Sequence, residues 1–111
     1  MNESTDILQR LMAVVLDRKA NPPAKSYTTA LFAGGVEKIG AKITEEAAEV
    51  VEAAAESGEE GRQHLIREAA DLMFHMLVML GHRDAHLSEV EAELARRFGL
   101  SGIDEKAARG K

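Results

Sequence analysis

Four carboxylates in this chain stand out by their spacing: Glu46 with Glu49, and Glu68 with Asp71. Each pair is spaced i, i+3, which sets both carboxylates on one face of a helix. The second pair opens the most apolar stretch of the sequence, which continues through residues 69–80. A carboxylate in such a run is costly to desolvate unless something cationic meets it. Two acidic pairs on neighbouring helices can share that cation. Hard divalent ions such as Mg²⁺, or Mn²⁺ in its place, take oxygen ligands and are commonly held by a few carboxylates plus substrate phosphates. The spacing points to a metal-dependent polyphosphate site, with Glu46, Glu49, Glu68 and Asp71 as the ligands.

A plainer reading stands beside this one. E-x-x-E also arises on any solvated Ala/Glu-rich helix face. Yet Glu45, Glu46, Glu49 and Glu52 crowd one sector, and like charges at that spacing destabilise a helix. Lys42 offsets part of the repulsion, and a bound cation would offset the rest. Asp71 has its own alternative, an ion pair with Arg67 or with a base from another helix. Lys38 and Lys42 lie on the acidic face one or two turns earlier. There they can touch phosphate oxygens, or serve as ordinary helix supports for Glu45 and Glu46. His75 continues the polar stripe of Glu68 and Asp71. A lone histidine in an apolar helix is more often a satisfied core residue than a ligand, so its expected role is to hydrogen-bond a ligating carboxylate from behind. His64, His82 and His86 read as surface or helix-end residues, and the Met/Leu stripe of residues 73–80 as core.

The elements that must position these groups are helices. Strand-like alternation is absent, and helical periodicity recurs in four places. A first helix is expected over about residues 6–18. A connection over 19–35 follows, containing Pro22-Pro23 and one helical turn near 29–32. A second helix starts after Gly34-Gly35 and stops near Ser57-Gly58, with Ile39, Ile43, Val50 and Ala54 on its inner face. The third spans about 62–81 and is apolar nearly all round in its second half, so it is central or lies in an oligomer interface. The fourth begins at Ser88, capped by Ser88 with Glu91, carries the stripe Leu87, Val90, Leu94 and Phe98, and ends at Gly99. The expected organisation is an all-α domain over 1–99 and a charged tail over 100–111.

Composition narrows the function. At 111 residues the chain suits one domain. It has no cysteine, which excludes thiolate metal sites, iron–sulfur clusters and cysteine nucleophiles. The net charge of −5 argues against a nucleic-acid or anionic-membrane partner. Three Phe, one Tyr and no Trp argue against a single-strand stacking platform. The polar, acidic start is unlike a signal peptide, and no apolar run reaches the about 20 residues of a membrane span. A cytoplasmic location is expected. The di-iron Glu-x-x-His pair, H-E-x-x-H, the EF-hand loop, the P-loop and G-x-G-x-x-G are all absent.

E-x-x-E followed by E-x-x-D resembles the signature of the all-α nucleotide pyrophosphohydrolases, the MazG-like group. Further blocks resemble its phosphoribosyl-ATP pyrophosphohydrolase family. They are Ser26-Tyr27-Thr28 with Leu31, then Gly35-Val36-Glu37-Lys38-Ile39 with Lys42, then Glu45-Glu46-Ala47-Ala48-Glu49-Val50, then residues 70–80, and the tail segment 101–107. They occur in order and cover most of the chain from Ser26 onward. Thr44 stands where many members have Gly, and Phe74 where Tyr is frequent. The resemblance implies a four-helix MazG-like bundle completed by dimerisation. It implies Mg²⁺-dependent hydrolysis of phosphoribosyl-ATP to phosphoribosyl-AMP and pyrophosphate, the second step of histidine biosynthesis. The metal-binding acids carry over onto Glu46, Glu49, Glu68 and Asp71, with Glu45 or Glu49 free to orient a water. Lys38 and Lys42, with Lys106 or Arg109 from the tail, are the expected phosphate contacts. Two competitors are a (d)NTP or dUTP pyrophosphohydrolase, and a non-catalytic helical dimerisation module with merely solvated acids.

Overall fold

A computed structural model describes residues 7–99, and they form four helices: α1 (Ile7–Ala20), α2 (Tyr27–Ala55), α3 (Gly58–His82) and α4 (Leu87–Phe98). No strand occurs among the described residues. The long helices α2 and α3 pack antiparallel as the central pair, α1 packs against both, and α4 packs against α1.

Pro22-Pro23 keeps the chain out of helix between α1 and α2, since proline lacks the N–H a helix interior needs. Ser26 then caps α2, its hydroxyl accepting from the Thr29 backbone N–H at 3.3 Å. The helix thus starts earlier than the single turn expected at 29–32. Gly35 interrupts it with φ 66° and ψ −159°, a conformation open essentially to glycine alone. The expected start after Gly34-Gly35 holds for the long arm of α2, and the short arm before it is a helix in its own right.

The turn from α2 into α3 is tighter than the sequence suggests. A Cβ at Gly61 would come within 2.6 Å of the Glu56 carbonyl oxygen, so only glycine lets the α3 backbone approach the end of α2. At the far end, Lys19 of α1 caps α3. Its ammonium donates to the Gly81 and His82 carbonyls at 2.8 and 3.1 Å and pairs with Asp84 at 2.8 Å. A cation there meets the free carbonyls and the negative end of the helix dipole. The capping box of α4 is His86 with Glu89, two residues before the expected Ser88–Glu91. The His86 ring accepts from the Ser88 N–H, and Glu89 accepts from the His86 N–H.

The core consists of Met12 and Val15 from α1, Leu31 and Ile39 from the two arms of α2, Leu77 and Val78 from α3, and Leu87. Burying each such side chain is worth about 1.5–3 kcal/mol. Ala53, rather than the expected Ala54, continues the inner face of α2. That face reads Ile39, Ile43, Glu46, Val50, Ala53, alternating steps of four and three. Glu46 therefore sits on the apolar stripe and must point inward. No described helix is long and apolar enough to cross a membrane.

Candidate active site between the two long helices

Because α2 and α3 run antiparallel, residues late in one oppose residues early in the other. Glu46 meets His75, and one turn further along α2 Glu49 meets Glu68. The inward register of α2 drives the Glu46 carboxylate into the interface, where it is 6% exposed opposite a His75 that is 4% exposed. Their closest approach is His75 Nδ1 to Glu46 Oε1 at 2.5 Å. The same nitrogen lies 2.9 Å from the Asp71 carbonyl oxygen, one turn earlier in α3. His75 Nε2 faces the Tyr27 hydroxyl at 2.7 Å. Tyr27 stands at the start of α2 just beyond the Ser26 cap, and its ring stacks on Phe74 at 6.3 Å between centroids.

The Glu49–Glu68 contact is of another kind. It joins two groups that repel when both are ionised. Contact with the Glu68 carboxyl is the largest of the effects that hold the Glu49 carboxyl above its ordinary range, with desolvation and the Glu68 charge adding to it. Glu68 Oε1 is buried with no hydrogen-bond partner. Two ionised carboxylates offer each other no hydrogen, so that oxygen calls for a shared proton, a water or a cation. On its other side Glu68 Oε2 lies 3.4 Å from His64 Nε2, while His64 Nδ1 is held by Glu56 at 3.0 Å.

These positions revise the picture drawn from the sequence. Asp71 is exposed, so it does not sit desolvated within the apolar run. The run is apolar, but Asp71 falls on its outer side. Glu45, Glu46, Glu49 and Glu52 do not share one sector either: Glu46 is buried, while Glu45 and Glu52 are exposed. Among the described residues no three His, Asp or Glu side chains converge, as they stand, on a point that could hold an ion. The donors are nonetheless the right kind for a hard cation. Glu49 and Glu68 already touch and carry an unsatisfied oxygen. Glu46 precedes Glu49 by one turn and Asp71 follows Glu68 by one, so on antiparallel helices both flank the pair on the same side. The acids fit a divalent cation chemically, and the Glu49–Glu68 pair is where it fits best.

The basic groups divide similarly. Lys42 pairs with Glu45 at 3.3 Å, and that contact raises the Lys42 pKa. Lys38 is exposed on the same helix. Lys106 and Arg109 lie outside the described residues. Burial first, and then the charges of Lys42, Glu46, Glu45 and Asp71, act on the Tyr27 phenol, with a net rise in its pKa. Lys42, Glu45, Glu46 and Asp71 thus lie within electrostatic reach of the Tyr27 phenol. Tyr27 is the member that residue chemistry alone did not single out. The available signal was that the chain's one tyrosine directly follows a helix-capping serine.

Comparison with known proteins agrees along nearly the whole chain. Residues 8–98 match the family described as Phosphoribosyl-ATP pyrophosphohydrolase. A phosphoribosyl-ATP pyrophosphatase of Rhodopirellula baltica is 54% identical over 98% of this chain and 91% of its own length. One from Geobacter sulfurreducens is 50% identical over 100% of both chains. One from Rhodobacter capsulatus is 52% identical over 93% of this chain and 97% of its own.

Proposed function

The chain belongs to the phosphoribosyl-ATP pyrophosphohydrolase family, and from that premise we propose how its residues carry the family's reaction. The protein is a hydrolase that cleaves the α–β phosphoanhydride of phosphoribosyl-ATP, giving phosphoribosyl-AMP and pyrophosphate in the second step of histidine biosynthesis. The observation that carries the site assignment is the Glu49–Glu68 contact with its unsatisfied buried oxygen. Two acids forced together beside an exposed third, Asp71, leave a demand for positive charge that a divalent cation meets.

Glu46, Glu49, Glu68 and Asp71 would hold Mg²⁺, or Mn²⁺ in its place. When bound, the ion supplies stabilisation of the charge that develops on the pyrophosphate leaving group. The remaining work falls to side chains. His75 holds the Glu46 carboxylate in one orientation from within the helix interface. Lys38 and Lys42 reach the phosphate oxygens as point charges, and Lys106 or Arg109 would add to them. Glu45 or Glu49 would orient the attacking water and accept its proton. As the new P–O bond forms, the bridging P–O bond breaks and its electron pair leaves with pyrophosphate.

The assembly reading rests on exposed apolar residues of α3, α1 and α4. Met73 and Met76 of α3 are 52% and 49% exposed. Beside them Ile7 and Leu8 of α1 and Val90 of α4 are also exposed. A contiguous apolar surface of this kind marks an association site, and a homodimer that buries it completes the bundle. The expected location is the cytoplasm.

Turnover of phosphoribosyl-ATP set against a panel of dNTPs, including dUTP, tests the substrate. The phosphoribosylated nucleotide is expected to be strongly preferred. Equal turnover of any dNTP would transfer the assignment to a general nucleotide pyrophosphohydrolase, and no turnover at all would favour the non-catalytic module.

A further inference from the structure

The hydrogen-bond chain Tyr27–His75–Glu46 has only one consistent arrangement of hydrogens while the imidazole is neutral. Nδ1 of His75 faces two oxygens, the Glu46 carboxylate at 2.5 Å and the Asp71 carbonyl at 2.9 Å. A carbonyl only accepts, and so does an ionised carboxylate. The ring hydrogen therefore resides on Nδ1, and Nε2 is a bare acceptor. The Tyr27 hydroxyl, 2.7 Å from Nε2, must donate to it. Its hydrogen is then committed, and what the phenol oxygen still offers is a lone pair.

Tyr27 is not a core residue, and its hydroxyl is only part-buried at the His75 contact. Tyr27 is 52% exposed, and the charges of Lys42, Glu46, Glu45 and Asp71 all act on its phenol. It stands one imidazole away from Glu46, at the edge of the acidic site. In a nucleoside triphosphate the ribose is the group joined directly to the α-phosphate, so it lies next to whatever holds the phosphates. We propose that Tyr27 is a specificity-determining residue for the known reaction: its phenol oxygen accepts a hydrogen bond from a ribose hydroxyl of the nucleotide, and His75 is the positioning residue that fixes it as an acceptor. This rests on the reading of the acidic cluster as the phosphate-binding site.

The arrangement explains why a histidine, rather than another core residue, occupies position 75. It orients Glu46 with one nitrogen and Tyr27 with the other. Phosphate binding and ribose reading are thereby held in a fixed relation. A phenylalanine at position 27 would keep the ring and its stacking on Phe74 while removing the acceptor.

The test compares wild type with Tyr27→Phe and His75→Asn on phosphoribosyl-ATP and on analogues whose ATP-derived ribose lacks the 2′- or the 3′-hydroxyl. An asparagine amide can replace the Nδ1 donor to Glu46 but cannot reach Tyr27. Loss of one neutral hydrogen bond corresponds to about a tenfold fall in kcat/KM. Tyr27→Phe is expected to show that fall on the parent substrate and no further fall on one of the two deoxy analogues, which identifies the hydroxyl. His75→Asn is expected to reproduce the loss, and the double variant to add nothing, with the Mg²⁺ activation curve of Tyr27→Phe unchanged. If wild type turns over the parent and Tyr27→Phe loses the same factor on parent and both analogues, or loses nothing, the inference fails while the activity stands. If wild type does not turn over phosphoribosyl-ATP, the activity fails and takes this inference with it.

Discussion

Glu46 and His75 meet across the interface of α2 and α3, 2.5 Å apart and both more than nine-tenths buried. A carboxylate placed on an apolar helical stripe is tolerable only because a donor faces it, and here the donor comes from an equally buried position of the opposite helix. The pair is thus a folding contact and a site contact together. His75→Leu removes the donor and leaves Glu46 buried without it. We expect a loss of about 1–3 kcal/mol in the unfolding free energy, measured by urea denaturation. The double change Glu46→Leu with His75→Leu should recover most of it, because an apolar pair of similar volume leaves nothing unsatisfied. A single variant as stable as wild type would show that Glu46 finds another partner.

Glu49 and Glu68 predict the opposite sign. Their contact holds the Glu49 carboxyl above its usual range, which means the folded protein binds that proton more tightly than the unfolded chain. Such a group favours folding at low pH and costs stability as pH rises through its folded pKa. Glu49→Gln removes the repulsion. In chelator at neutral pH its Tm should exceed that of wild type, while activity with Mg²⁺ is lost. Wild type should gain Tm on adding Mg²⁺, and Glu49→Gln should gain less. A variant that is less stable than wild type in chelator would contradict the assignment of strain to this pair.

Asp71→Asn separates site from fold. Asp71 is exposed and only its backbone carbonyl supports His75, so the amide should leave helical circular dichroism unchanged and the unfolding free energy within about 0.5 kcal/mol of wild type. Activity should fall by a hundredfold or more, on the order of 2.7 kcal/mol in the barrier. Wild-type turnover in Asp71→Asn, with or without saturating Mg²⁺, would remove Asp71 from the ligand set.

His64 gives a pH dependence of the metal-free protein. Its hydrogen bond with Glu56 raises its pKa, so its charged form is favoured by folding. The stabilisation is complete below the unfolded value of about 6.5 and disappears as pH climbs through the higher folded value. His64→Gln should flatten the decline of Tm above pH 6.5. An unchanged profile would assign that decline to other groups.

Met73 and Met76 test the assembly. Replacing both by glutamate places charge in the exposed apolar face of α3, which an interface core cannot desolvate cheaply. Light scattering at micromolar concentration should show wild type as a dimer and the double variant as a monomer. Wild type that is already monomeric would leave that surface unexplained by self-association.

The all-α class, the helix identities and the acids were legible in the sequence because each is a local property. Periodicity marks the helices, Pro22-Pro23 and Gly35 mark breaks, and i, i+3 spacing depends only on helical geometry. The family blocks from Ser26 onward carried the activity for the same reason, since they are short contiguous strings. What each acid does was not local. Asp71 sits in an apolar run yet faces outward, and Glu46 sits in an acidic run yet faces inward. The deciding quantity is the rotation of each helix about its axis, set by which stripe packs against the partner helix. The register of α2 against α3 then chose the contacts, putting Glu46 opposite His75 and Glu49 opposite Glu68. Tyr27 entered the site only because Gly35 bends α2 and brings its first turn back beside α3. One sequence lists the charges, and the antiparallel packing of two helices determines which of them meet, because Coulomb and hydrogen-bond energies depend on separations across the interface that no spacing along a single helix contains.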